Sequence, residues 1–359
     1  MRKKYMYMLQ KIYDEEKFMN RMLIPCIVVI VSVVFAVNIL FAGESITLFT
    51  GRKNATEQEV IKDFEASTGI KVIIVDGKPE ELIEKIAASG DEPEADLFMT
   101  VDGGTLEYAK EQGIFQKTQS SEIEKALLPS LRDTDNAWVG VTTRARVIVY
   151  AKDRVDPAEL SSYLDLASPS WKGKVLVRSS DALYNRSLAA SLISCYGEEK
   201  VRDWAEGLVA NFAREPKGND RDQAKAVREG IGDIAIMNTY YIGNMLKSKD
   251  AEEVEAAQAV GVFFPDQAEA GTHINICGIG LVKGAKNPDA AIKLVEYLLS
   301  VPAQEKLSLG NSEFPVNPKA KKSPLLESWG AFKSQKIDFA ELSKNKEKAT
   351  AILKESGWK

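Results

Sequence analysis

The chain has 359 residues, with 47 Lys+Arg against 52 Asp+Glu and a single His. At roughly 100–200 residues per domain, that length suggests two domains. A hydrophobic share of 45% and a charged share of 28% exclude a collagen, a disordered chain and a disulfide-stapled miniprotein. One histidine also excludes a multi-histidine zinc site and any Ser-His-Asp or Cys-His relay that does not use His273.

Met22 to Ala42 is a charge-free apolar run, about the 20 residues that cross a bilayer. Six basic and three acidic residues precede it, a bias that keeps the N-terminus cytoplasmic and sends the rest of the chain across. Two readings stand for residues 1–43. One is a signal peptide, although Leu40-Phe41-Ala42 is a poor small-residue cleavage site. The other is an uncleaved membrane anchor. Both place the chain from about Glu44 outside the cytoplasm, periplasmic or at the cell surface. Beyond residue 42 the balance is 41 basic against 49 acidic, which argues against nucleic acid. Cys195 and Cys277 remain there, and both are expected to be buried and free.

The exported region opens with a predicted strand, Ser45–Phe49, and a polar loop, Thr50–Thr56. An amphipathic helix, Glu57–Thr68, follows and stops at Gly69. Ile70–Val75 reads as a strand, Glu80–Ser89 as a helix and Ala95–Thr100 as a third strand. This alternation implies βαβ units and a mainly parallel sheet. Trp138–Val141 and Val147–Tyr150 resemble paired strands around a polar turn at Thr142-Thr143-Arg144. The pattern restarts after Pro157, with a strand at Val175–Val177 and helices at Ser187–Cys195, Glu198–Val209 and Asp222–Glu229. Strands at Ile234–Met237 and Ile274–Val282 and a helix at Ala290–Leu299 complete it. Two α/β units of this kind hold a ligand in the cleft between them.

Several stretches together resemble the periplasmic ferric-ion-binding proteins of ABC-type iron importers, the iron(III)-binding branch of the extracellular solute-binding proteins. They are Pro93–Gly104, Thr143–Tyr150, Val177–Ser180, Tyr184–Leu188, Gly218–Gln223, Asn238–Tyr241 and Glu313–Pro318, in family order. The resemblance implies a two-lobed periplasmic-binding-protein fold of type II, each lobe a mainly parallel sheet flanked by helices, with crossing strands between lobes. The expected lobes are 44–144 plus about 268–320, and 145–267 plus about 321–359. The implied role is binding ferric iron in the cleft and delivering it to an ABC permease, as a monomer and not as an enzyme.

Tyr240-Tyr241 is the most informative pair in the chain. It follows a predicted strand, and Thr239 is expected to cap a helix that both tyrosines open. Neighbours on a strand would face apart, whereas at a strand-to-helix bend both phenols can turn to one point. Phenolate oxygen is a hard donor and suits Fe(III). The resemblance adds Tyr184 to this set. It also implies that Arg52 and Arg144 hold a synergistic carbonate or other oxyanion, which a guanidinium fork suits. Lys53, a weaker candidate for the same anion, and Asn54 stand where the family often places first-lobe metal ligands, so direct clamping of iron from that lobe is not expected.

Tyr150, Tyr163, Tyr196 and His273 read as structural, and Asp102 as turn chemistry. Two alternatives remain open at this point: the same fold binding an organic or phosphorylated solute, and a membrane-anchored sensor subunit. No nucleophile elbow, P-loop or two-histidine metal motif occurs.

Overall fold

The computed structural model describes residues 44–359 apart from Lys53, together with Met6 and Met8. The apolar run 22–42, the question of its cleavage and the Lys53 side chain lie outside the described residues.

Strand β1 (Ser45–Thr50) pairs in parallel with β2 (Lys71–Asp76) and β3 (Leu97–Thr100). Helix α1 (Ala55–Thr68) connects the first two. It begins two residues earlier than its apolar pattern because Asn54 Oδ1 accepts the Glu57 N–H at 3.2 Å, an N-cap inside the expected loop. It ends at Gly69, whose φ of 77° suits a residue without Cβ. Val60, Ile61 and Phe64 line its buried face. Helices α2 (Pro79–Ala88), α3 (Gly103–Glu111) and α4 (Ser121–Ala126) follow.

The long strand β4 (Val139–Ala151) ties the molecule together. The sequence suggests two short strands around a turn at Thr142–Arg144; the structure instead has thirteen continuous extended residues, nearly all buried. Polar residues there do not mark solvent. Arg144 lines a cavity, Thr142 donates to buried Glu313, and the backbone stays paired: Thr142 and Thr143 pair with β9 (Phe314–Pro315) as well as with β8 (Ile274–Leu281).

After β4 come β5 (Val175–Leu176), α5 (Leu183–Tyr196), α6 (Glu198–Ala210) and α7 (Asp220–Arg228). Next are β6 (Ile234–Asn238), α8 (Thr239–Leu246), α9 (Ala251–Ala259) and β7 (Val260–Phe263). Helices α10 (Pro288–Leu299) and α11 (Val301–Asn311) follow β8, and α12 (Pro324–Ser328) and α13 (Phe339–Glu355) close the chain.

The strand order is β2-β1-β3-β8-β4-β6-β5, with β7 and β9 also on β4. Residues 139–145 of β4 run antiparallel to β8, and residues 146–151 to β6 and β7. Pairing is parallel at the outer strands and antiparallel wherever β4 or β8 takes part. This is a mixed α/β fold of the two-lobed binding-protein kind, with β4 and β8 as its crossing strands. Helix α13 buttresses it from behind, packing on both α3 and α5. Its Phe339 meets Trp138 edge-on at 5.4 Å. Truncating such a buried ring costs about 3–5 kcal/mol.

Candidate ligand-binding cleft

Two helix starts converge at one point. The buried strand β6 ends at Asn238, which, and not Thr239, is the N-cap of α8. Thr239 is already helical, and its Oγ1 accepts the Ala145 N–H at 3.3 Å. A hydroxyl engaged across the sheet is not free to cap its own helix. Tyr240 and Tyr241 therefore lie on the first turn, with rings stacked at 4.2 Å and 30°. Tyr184 lies on the first turn of α5. The Tyr240 hydroxyl donates to the Tyr184 hydroxyl at 3.4 Å. Burial, followed by the neighbouring Tyr184 and Tyr241, pushes the Tyr240 phenol well above its ordinary value. Burial also raises Tyr241, with Asp220 adding to the effect.

Arg146 holds the two starts in register. Its Nη2 donates to Asn185 Oδ1 at 2.8 Å, beside Tyr184. Its Nη1 donates to Asn238 Oδ1 at 3.4 Å and to Asp220 at 2.7 Å. Asp220 in turn accepts the Asn238 N–H at 3.0 Å. Arg144, Arg146 and Arg178 all stand over the Tyr184 ring, at 5.6, 5.9 and 5.9 Å from its centroid. Three cations around one ring create a positive field where the phenol oxygen meets a ligand.

The two expected anion-binding arginines differ. Both terminal nitrogens of Arg52 are taken by Glu313, at 3.2 and 2.6 Å, and its Nε lies 2.8 Å from Glu57. Arg144 is 1% exposed, and none of its three nitrogens has a partner. Burial opposes its charge, but Tyr184 and Glu313 more than compensate and hold it above its ordinary value. One guanidinium cannot satisfy two carboxylates equally. Glu313 is held below its usual range by Arg52, against the cost of its burial, and Glu57 is pushed up to about 7 by burial despite Arg52.

A cavity of about 220 Å³ joins these groups, with Arg52, Asn54, Arg144, Tyr184, Tyr240 and Glu313 on its walls. Tyr241 flanks it through its stack on Tyr240. A larger hollow of about 480 Å³, lined by Phe64, Lys125 and Tyr297, includes none of Tyr184, Tyr240 and Tyr241.

The residues expected to be structural stand outside the cavity. The Tyr163 hydroxyl donates to the Arg146 carbonyl and accepts the His273 N–H. Tyr196 donates to Asp266 at 3.2 Å. His273 is buried with Nδ1 3.3 Å from Gln335 Oε1, and burial pushes it down to about 4. Asp102 caps α3 and also accepts from Ser187 and Asn275. Cys277 is buried and free as expected; Cys195 is free but exposed, because it falls near the end of α5 on its solvent side. Sequence reasoning passed over Arg146, Glu57 and Glu313 as site residues. Arg144 and Arg146 alternate on one strand, which places both on the same face, and that spacing was a usable signal. Nothing local marks Glu57 and Glu313 as partners of Arg52.

A two-lobed fold with a polar, cation-lined cavity at its crossing strands defines a solute-binding protein. The signature of the bacterial extracellular solute-binding proteins matches residues 92–343. Iron uptake protein A1 of Synechocystis is 45% identical over 316 residues, covering 88% of each chain. The Trichodesmium protein IdiA (FutA), solved in complex with iron and citrate ligands, superposes with a TM-score of 0.83 at 43% identity. That match covers 88% of this chain and all of the other. A ferric binding protein from Campylobacter jejuni gives 0.82 at 38% identity, with the same coverage. The chain belongs to the bacterial extracellular solute-binding protein family, whose members bind solutes and are not enzymes.

Proposed function

We propose that this protein binds ferric iron outside the cytoplasm and delivers it, as a monomer, to an ABC permease. The observation that carries this reading is the meeting of the Tyr240 and Tyr184 hydroxyls, with the Tyr241 ring stacked on Tyr240, beside an unpartnered, buried Arg144. Phenolate is a hard donor matched to a hard trivalent ion. Three phenolates balance the three charges of Fe(III), and the cation displaces protons that burial otherwise retains. Relatives named for iron uptake and ferric binding support the choice of metal.

The three tyrosines are the metal ligands, and Arg144 holds the companion oxyanion with its free donors. Arg52, already engaged by Glu313, shapes that wall, and Lys53 is adjacent to it in sequence. The lobes comprise 44–144 plus about 268–320, and 145–267 plus about 321–359, and close on the ligand. The test is optical. Protein loaded with one equivalent of Fe(III) is expected to show a visible phenolate charge-transfer band, lost in Tyr240→Phe. A colourless wild type that retains no iron from excess ferric citrate would defeat the reading and favour an organic or phosphorylated solute.

A further inference from the structure

Among the described residues that wall the cavity, neither Arg146 nor Asp220 appears. Both are buried, at 1% and 0% exposed. Yet the guanidinium of Arg146, on β4, reaches three elements that lie 39, 74 and 92 positions along the chain. They are Asn185 on α5, Asp220 on α7 and Asn238 at the start of α8.

Each contact ends beside a phenol. Asn185 follows Tyr184 and donates in turn to the Arg178 and Ser179 carbonyls, both at 3.0 Å. Asn238 stands two residues before Tyr240, and its N–H goes to the same Asp220 oxygen that accepts from Arg146. The backbone of Arg146 is fixed as well. Its N–H donates to the His273 carbonyl at 2.9 Å, and its carbonyl accepts from Tyr163. The two phenol-bearing turns therefore share one anchor.

Stability does not account for a pair buried this deeply. Both charges lose their hydration, and apolar residues of similar volume in place of a buried ion pair are often neutral or stabilising. A guanidinium fork supplies direction instead, because its donors lie in one plane at fixed angles. We propose that Arg146 and Asp220 are positioning residues for iron binding: they hold Tyr184 at the spacing from Tyr240 that lets both oxygens reach one ion. The ordering is completed on folding, so less freedom is lost when the ion arrives. This inference rests on the ferric reading above.

The experiment uses full-length protein loaded from ferric citrate, with binding read by the visible band and by competition with a chelator. Circular dichroism and urea unfolding of the metal-free protein report the fold. The double variant Arg146→Met with Asp220→Asn removes the fork and leaves no unpaired buried charge. It is expected to fold and to hold iron at least about tenfold less tightly, roughly the loss of one hydrogen bond to a charged group. Its band per bound iron is expected to weaken, because Tyr184 no longer reaches the ion held by Tyr240. Arg146→Lys keeps the charge without the fork and is expected to show the same losses. If neither variant folds, Asn185→Ala, which removes only the contact beside Tyr184, carries the test with the same expected signs. Wild-type affinity in the folded variants overturns this inference and leaves the ferric reading intact. So does a weaker affinity with an unchanged band, since all the phenols would then still reach the ion. A wild type with no band removes the ferric reading itself.

Discussion

Arg52 and Glu313, 261 positions apart, form a two-bond clamp, with both terminal nitrogens of the guanidinium on one buried carboxylate. Glu57 meets the remaining Nε at 2.8 Å. Removing the shared cation leaves two buried carboxylates. Breaking such a pair costs about 3–5 kcal/mol. Arg52→Ala should therefore be destabilised by that amount in urea. Arg144→Ala, which breaks no hydrogen bond, should lose little stability and most of the anion dependence of iron binding. Chelator competition with and without added oxyanion separates the two; the reverse pattern would assign the anion to Arg52.

Asn54 caps α1 and also lines the cavity. Asn54→Tyr should tighten iron binding by bringing a fourth phenolate from the opposite wall. It should also lose about 1 kcal/mol of stability with the cap. Thermal melting of the metal-free protein and a chelator titration report the two effects independently. Unchanged iron affinity would mean that this wall does not reach the metal.

Gly243 of α8 allows two segments to meet. A Cβ there would stand 2.2 Å from Ser312 Oγ. Gly243→Val should force α8 away from the end of α11, where Lys247 now bonds. Iron affinity is expected to fall at least about tenfold, roughly the loss of one hydrogen bond to a charged group, while all three tyrosines remain. The visible band at saturating iron should persist, and small-angle scattering should report a larger radius of gyration. A variant with wild-type affinity and radius would count against closure through this contact.

Acid should weaken iron binding before it unfolds the chain. Every phenol that binds the metal must lose its proton, and burial raises Tyr240 and Tyr241. Lower pH therefore favours the metal-free form, by up to about tenfold per pH unit for each phenol. Titrations between pH 8 and 6, corrected for the competing chelator, should show this slope, and Tyr241→Phe should reduce it by one proton. A flat profile would argue against phenolate ligation.

His273 provides a separate pH effect, on stability alone. Burial holds it down at about 4, whereas the unfolded chain takes up a proton near 6.5. Between those values the unfolded state binds more protons, so stability is full above about 6.5 and falls with acid. The loss reaches about 3 kcal/mol by pH 4. Because buried Glu57, raised to about 7, gains stability over the same window, the readout is the variant comparison: from pH 7 to pH 5 in urea, wild type should lose about 2 kcal/mol more than His273→Gln. An equal acid loss in the variant would place the effect elsewhere.

The sequence by itself determined what local pattern can encode. Apolar periodicity marked α1 and β1, and Gly69 marked the helix end. Tyr240-Tyr241 after a strand marked two phenols that open one helix together, because a strand-to-helix bend is a local event. Tertiary structure decided what depends on residues distant in sequence. Polar Thr142–Arg144 read as a turn but continue β4, since their partners Glu313 and β9 lie far along the chain. Thr239 read as a cap, but its hydroxyl is bonded to Ala145 across the sheet. Arg52 and Arg144 read alike as anion holders, and only the fold places Glu313 and Glu57 on one and leaves the other free. A side chain's donors are a local property. Which of them are already bonded depends on the whole fold, because buried polar groups take whatever partner packing brings within reach.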